Sequence, residues 1–297
     1  MEIHLPRRFV RSEMYNFLQE VITTDRIPVS DEIIFNFNTL NYIEPAGITI
    51  LSNVFEWLKR RNVSTFINID HDRIIGGSKC PLTYLDDSMF FNRYIDTTIT
   101  NEPSIRPTTR PLELITYSRS YNWLHQTFIP WLAVQLNAQP GSLDEVEVCI
   151  SEIFNNINDH SSEQIGCIYA QHYPNIKQVK IAISDFGVGI PTSIQSQYPT
   201  LTDEEALNEA IQEGFSTQSN PGNRGAGLTN ITKAIVQSNK GSIHIHSNAG
   251  IMKCTPGDTG ILTSSSTASG FYPGTFFEII FNTTNILENE EEDFEWC

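Results

Sequence analysis

From Val179 to Ser184 the chain alternates between faces, and the pattern stops in Asp185-Phe-Gly187-Val-Gly189. The alternation predicts a strand, and the two glycines that follow predict a turn at its end. A carboxylate fixed there can accept a hydrogen bond from the exocyclic amine of adenine. Ionised, it would reject guanine, which presents a carbonyl at the same position. The glycines let the backbone pass close under a base and adopt φ > 0. Alone, the motif is equally an ordinary turn acid, so its meaning depends on what accompanies it.

Three further segments do. Ser151-Glu-Ile-Phe-Asn-Asn-Ile-Asn-Asp-His160 follows apolar residues at 143, 146, 148 and 150, which predicts one helix from about 143 to 160. Glu152 and Asn156, four residues apart, then share a helix face. A carboxylate can orient or deprotonate a water, and a neutral amide oxygen can ligate Mg²⁺, which completes its octahedron with phosphates and waters. Gly214 to Leu228 is a polar, glycine-rich loop running into an apolar-periodic segment. That order gathers backbone N–H groups at a helix start, where phosphates bind, and Ser216, Thr217 and Arg224 add hydroxyls and charge. Gly274-Thr275 opens a predicted strand, Phe276 to Phe281, with a hydroxyl in reach of the base.

In this order, residues 115–284 resemble the GHKL (Bergerat-fold) ATPases, a superfamily that includes gyrase B, MutL, heat-shock chaperones and histidine kinases. The resemblance implies a two-layer α/β sandwich binding ATP and Mg²⁺. It implies Glu152 as general base, Asn156 as metal ligand and Asp185 as adenine acceptor. Gly187 and Gly189 match the first glycine turn, Gly225 and Gly227 the second, with Leu228 following, and Thr275 the late adenine-site threonine. Thr192 to Arg224 would be the nucleotide lid. Asn223 stands where a glycine is common, and Asp159-His160 replaces a helical pairing found in some branches. The Ser-Glu-x-x-x-Asn-x-x-Asp-His-Ser pattern is most similar to anti-sigma-factor serine kinases.

In the first part, Ile33 to Phe37 reads as a strand, Asn41 to Gly47 as a loop broken at Pro45, Ile48 to Arg61 as an amphipathic helix, and Val63 to Ile69 as a strand. This βαβ pattern, with the Asn41-Tyr-Ile-Glu-Pro-Ala-Gly-Ile turn, resembles a STAS domain. Switching members phosphorylate a serine at that turn. Glu44, Pro45 and Ala46 offer no hydroxyl, so the resemblance implies no phosphoswitch here. The expected organisation is α/β throughout: a STAS-like domain over 1–105, a GHKL domain over 106–285 and an acidic tail over 286–297. The proline-rich stretch around 100–111 is expected to be a linker or a surface crossing.

A net charge of −16, from 35 acidic and 19 basic residues, argues against nucleic acid or anionic membrane as a direct partner. Met1 to Val10 carries charges and no apolar run, so no signal peptide is expected, and the cysteine usage makes a cytoplasmic location the expectation. Five cysteines without CxxC spacing predict reduced, mostly buried thiols. His125 is expected to pack within a helix rather than accept phosphate. His244 and His246 are expected on one polar strand face, without a third metal ligand. Gly257 to Gly270 is expected to be a hairpin loop. Three functions fit: an ATP-hydrolysing switch acting on a regulatory protein partner, with a homodimer one way to complete the site; a serine/threonine kinase for a separate chain; or a nucleotide-gated binding module without turnover.

Overall fold

The computed structural model describes residues 1–70, 72–74, 80–116, 119–160, 165–212 and 227–284, with 158–160 described through their backbone alone. The N-terminal half contains β1 (Glu2–His4), β2 (Arg8–Phe9), α1 (Met14–Val21), β3 (Glu32–Asn36), β4 (Tyr42–Ile43), α2 (Pro45–Arg60) and β5 (Ser64–Asn68), followed by α3 (Pro81–Asp87) and α4 (Phe90–Ile95). Strands β1, β3 and β5 form a parallel sheet in the order β1-β3-β5, and α2 connects the last two.

Helix α2 begins earlier than its periodicity predicts. Glu44 is extended and Pro45 is the first helical residue, where its missing N–H is no loss and its fixed φ favours the first turn. Pro45 therefore starts the helix instead of breaking a loop. The predicted stripe of Ile48, Leu51, Val54, Phe55 and Leu58 is buried, and so are Thr49, Ile50, Ser52, Asn53 and Trp57. A helix buried on most of its circumference lies between two layers. Here they are β5 on one side and the larger sheet on the other.

The stretch expected as a linker or a surface crossing is pinned to Asp86 and Asp87. The Asp86 carboxylate accepts from the Ile99 N–H at 3.2 Å and the Thr100 N–H at 2.8 Å. Asp87 accepts from the Ser104 N–H at 3.0 Å and Arg106 Nε at 2.8 Å. The chain then enters β6 (Thr109–Leu114), α5 (Ser120–Trp123), a π-helical turn over 124–128, α6 (Ile129–Leu136), α7 (Asp144–His160), β7 (Ile165–Tyr173) and β8 (Gln178–Phe186). After these come α8 (Ile190–Gln195), α9 (Asp203–Ala210), α10 (Gly227–Thr232), β9 (Ser242–Gly257) and β10 (Gly260–Asn282). The sheet runs β6-β7-β8-β10-β9 with every neighbour antiparallel.

The hairpin β9–β10 stays paired from Gly257↔Gly260 through Thr267↔Gly250, so Gly257 to Gly270 is mostly strand and only Asp258-Thr259 turns. Asp203 and Glu204 of α9 hold the hairpin's flank. Ala249 N–H donates to Asp203 Oδ2 at 2.9 Å, and Ser265 Oγ donates to Glu204 Oε1 at 2.9 Å. Thr202 and Glu205 close a reciprocal capping box that starts α9.

Two cores lie on opposite faces of this sheet. On one face Val179, Ile181, Ile183, Ile243, Ile245 and Ile279 pack with Leu132, Val146, Ile150, Ile153 and Phe154 of α6 and α7. On the other, Cys167, Tyr169, Ala182, Phe186, Tyr272 and Phe276 join Phe9, Phe17, Phe35, Ile50, Val54 and Phe90 of the N-terminal half in one continuous cluster. Each large apolar side chain among these, fully removed from water, contributes about 1.5–3 kcal/mol, so the N-terminal half is a structural cover for the sheet. Polar ties cross the same seam: Lys180 Nζ to Glu44 Oε1 at 2.9 Å, Arg11 Nε to Glu278 Oε2 at 2.8 Å, and Tyr15 Oη to His246 Nδ1 at 2.8 Å. Among the described residues, no helix is long and apolar enough to cross a membrane.

Candidate functional site

Strand β8 carries its apolar residues on both faces, and Asp185 continues the helix-side row of Val179, Ile181 and Ile183. The carboxylate is only 7% exposed. Burial pushes its pKa up to about 8, although the Thr275 backbone N–H donates to Oδ2 at 3.2 Å and favours the charge. A buried carboxyl with so perturbed a pKa, at the end of a strand, is a candidate ligand-binding group.

The surrounding turns are tightly made. Gly274 has φ +140°, and a methyl group there would stand 2.4 Å from the Asp185 carbonyl oxygen and 2.5 Å from the Gly187 nitrogen. The Gly187 N–H donates to the Pro273 carbonyl at 3.1 Å. Gly189 has φ +80°, and a methyl there would meet Asn248 Oδ1 at 2.5 Å. Only glycine fits either place. Behind them, Ile190 N–H donates to Ser247 Oγ at 2.9 Å, and Asn248 Nδ2 donates to Thr192 Oγ1 at 2.7 Å. Asp185, Gly187, Gly189 and Thr275 are thus gathered at one end of the central strands.

Glu152 stands on α7 against the first residue of α10. A methyl group at Gly227 would lie 3.1 Å from Glu152 Oε1, so the second glycine turn reaches the carboxylate directly. The two helices also meet where Cys149 Sγ approaches the Asn230 carbonyl at 3.8 Å. That thiol is inert: burial, then the charges of Glu145 and Glu152, push it up to about 12. Asn156, one turn beyond Glu152, is exposed, and Leu228 is partly buried against the helix-side core. Ser216, Thr217, Arg224 and Gly225 lie outside the described residues.

His125 does not pack inside a helix. Its side chain is 74% exposed, with Nδ1 2.9 Å from Glu147 Oε1. His244 and His246 do share a face, but it is buried against α1 rather than open. Burial and the nearby Arg11 hold their rings neutral, with His244 lowered to about 4 and His246 to about 3. Among the described residues, no group of three or more His, Cys, Asp or Glu side chains could hold a metal. Ser247 and Asn248 were not anticipated. The only signal for them is their position, two polar residues directly after the alternating run Ser242 to His246.

Residues 141–282 match the family model described as histidine kinase-, DNA gyrase B-, and HSP90-like ATPase. That segment is a GHKL domain. Its bounds take in α7, the whole of β7 to β10 and both glycine turns, and domains of this family bind ATP. No curated protein matches the chain. The GHKL domain accordingly has its sheet and helices in the expected two layers, with the N-terminal half forming a further layer behind.

Proposed function

We propose that the chain is an ATP- and Mg²⁺-dependent switch in which nucleotide state at the GHKL domain is read by the N-terminal half. Asp185 accepts from the 6-amino group of adenine. Gly187, Gly189 and Thr275 shape the base pocket. Gly225, Gly227 and Leu228, with Ser216, Thr217 and Arg224, hold the phosphates. Asn156 would supply one oxygen to Mg²⁺, and its exposed neutral amide suits a cation that arrives on the triphosphate and keeps most of its waters. Glu152 orients the attacking water.

One observation carries the switch reading. The strand that bears Asp185 is held from behind by α2, because Asn53 Nδ2 donates to Ser184 Oγ at 2.6 Å within the shared core. A change at the base would be felt by that helix. The parallel β3-α2-β5 unit supports the STAS-like reading of residues 1–105, and the absence of a hydroxyl from 44 to 46 leaves control to nucleotide and partner. Glu44 is engaged by Lys180. A regulatory protein is the expected partner.

Transfer to a serine or threonine of a separate chain is the second reading. It is favoured by a groove of about 490 Å³ along α7, lined by Asp144, Glu147, Ser151, Glu152 and Asn155, which leaves Glu152 accessible from outside. Phosphate release with and without a candidate partner tests both readings. Glu152→Ala should lower release or transfer by about 10²–10⁴-fold while ATP still binds. Unchanged turnover in that variant overturns the role of Glu152.

A further inference from the structure

Ser247 is fully buried and faces Thr275 across the β9–β10 pair. Three groups surround its hydroxyl. The Ile190 N–H donates to Oγ at 2.9 Å, the Gly274 carbonyl oxygen lies at 2.8 Å, and Thr275 Oγ1 lies at 3.0 Å. A serine hydroxyl has one hydrogen and two acceptor sites. The carbonyl has no hydrogen to give, so it takes the serine proton. The Ile190 N–H fills one acceptor site. The remaining acceptor site can meet Thr275 only if Thr275 donates.

The threonine proton is therefore turned toward Ser247, and the lone pairs are all that Thr275 offers to a ligand. Beside it Asp185 has its Oδ2 engaged by the Thr275 N–H, and a base amine donating to the carboxyl favours its ionised, acceptor form. We propose that Ser247 is a specificity-determining residue that fixes Thr275 as an acceptor, so that this end of the pocket accepts a base edge carrying an amine and rejects one carrying a carbonyl. Ser247 touches no ligand in this scheme; it acts through the orientation of one hydroxyl. The inference rests on the assignment of Asp185 and Thr275 to the adenine site.

The test compares ATP with inosine triphosphate, which replaces the 6-amino group by a carbonyl and leaves the sugar and phosphates the same. Both are titrated with Mg²⁺ into the full chain. Wild-type protein should prefer ATP. Ser247→Ala frees the Thr275 hydroxyl to rotate and donate, so the preference should shrink by about tenfold, the scale of one hydrogen bond in a binding site. Ser247→Thr keeps the hydroxyl and should keep the preference. Thr275→Val serves if Ser247→Ala does not fold: it removes the acceptor and should also shrink the preference. A ratio left unchanged by Ser247→Ala, or by Thr275→Val in its place, overturns the role of Ser247 while the ATP reading stands. An equal loss for both nucleotides does the same, since it marks a purely structural role. Wild-type protein that binds neither triphosphate overturns both readings.

Discussion

Asn53, in the middle of α2, donates a 2.6 Å hydrogen bond to Ser184, the residue immediately before Asp185. Both side chains are fully buried, and Ser184 Oγ also contacts Tyr272 Oη. On its other side Asn53 Oδ1 accepts from Cys167 Sγ at 3.3 Å. The N-terminal half is thereby hydrogen-bonded to the strand that ends in the candidate base acceptor. Because alternate residues of a strand face opposite ways, Ser184 meets α2 and Asp185 lies on the side of α6 and α7.

Asn53→Ala should cost about 2–4 kcal/mol, since it leaves buried polar groups unpaired and a space behind β8. It should also weaken ATP binding several-fold. Phe37→Leu, in the same core but away from β8, supplies a control of comparable instability. Chemical denaturation and nucleotide titration of both variants decide the matter. Equal affinities in the two would show that the contact is only structural.

Asp185 makes stability depend on pH in an unusual sense. Unfolded, an aspartate titrates near 3.9, whereas in the folded chain burial raises this carboxyl to about 8. Between those values the folded state holds a proton that the unfolded state has released. Its contribution is most favourable below about pH 4 and falls, by up to about 1.4 kcal/mol per pH unit, until pH passes about 8. Asp185→Asn removes the ionisation. The stability of that variant relative to wild type should rise by about 2–3 kcal/mol between pH 5.5 and 8, as read by denaturant titration of the nucleotide-free proteins. A constant difference would mean that Asp185 is ionised throughout.

Two glycines with similar φ should behave differently. Gly274 (φ +140°) has the Asp185 carbonyl and the Gly187 nitrogen where a methyl would go, and both are backbone atoms that cannot turn aside. Gly260 (φ +147°), at the hairpin tip, has nothing within 4 Å. Gly274→Ala should lose about 2–4 kcal/mol and most nucleotide binding. Gly260→Ala should lose about 1 kcal/mol from backbone strain and bind normally. Thermal melts and titrations of the pair would check this, and intact binding in Gly274→Ala would contradict the tight turn beneath the base.

Where local chemistry decides the structure, the sequence is informative. The helix predicted from about 143 to 160 is α7 at Asp144–His160, and the strand ending at Asp185 is β8. Long-range contacts are where it is silent. Nothing in the stretch around 100–111 announces that Asp86 and Asp87 will pin the chain just before β6. The π-helical turn from Leu124 to Phe128 departs from the 3.6-residue period of an α-helix, and His125 within it points outward. Ser and Thr from 263 to 267 resemble a loop in composition, yet Thr is a good strand former and each residue has a partner in β9. The run Ile165 to Ala170 is apolar at nearly every position because both faces of β7 are covered. That continuous run was the available sign of a third layer. Ser247 was hidden for a different reason, since its role depends on three neighbours distant in sequence.

The central claim is that Asp185 anchors a bound adenine nucleotide. Calorimetric titration of the full chain with ATP and Mg²⁺, beside Asp185→Asn, tests it most directly. Saturable binding of one ATP per chain is expected for wild-type protein, with binding abolished in the variant. Wild-type protein that shows no binding, or a variant that binds as tightly as wild type, would contradict the account.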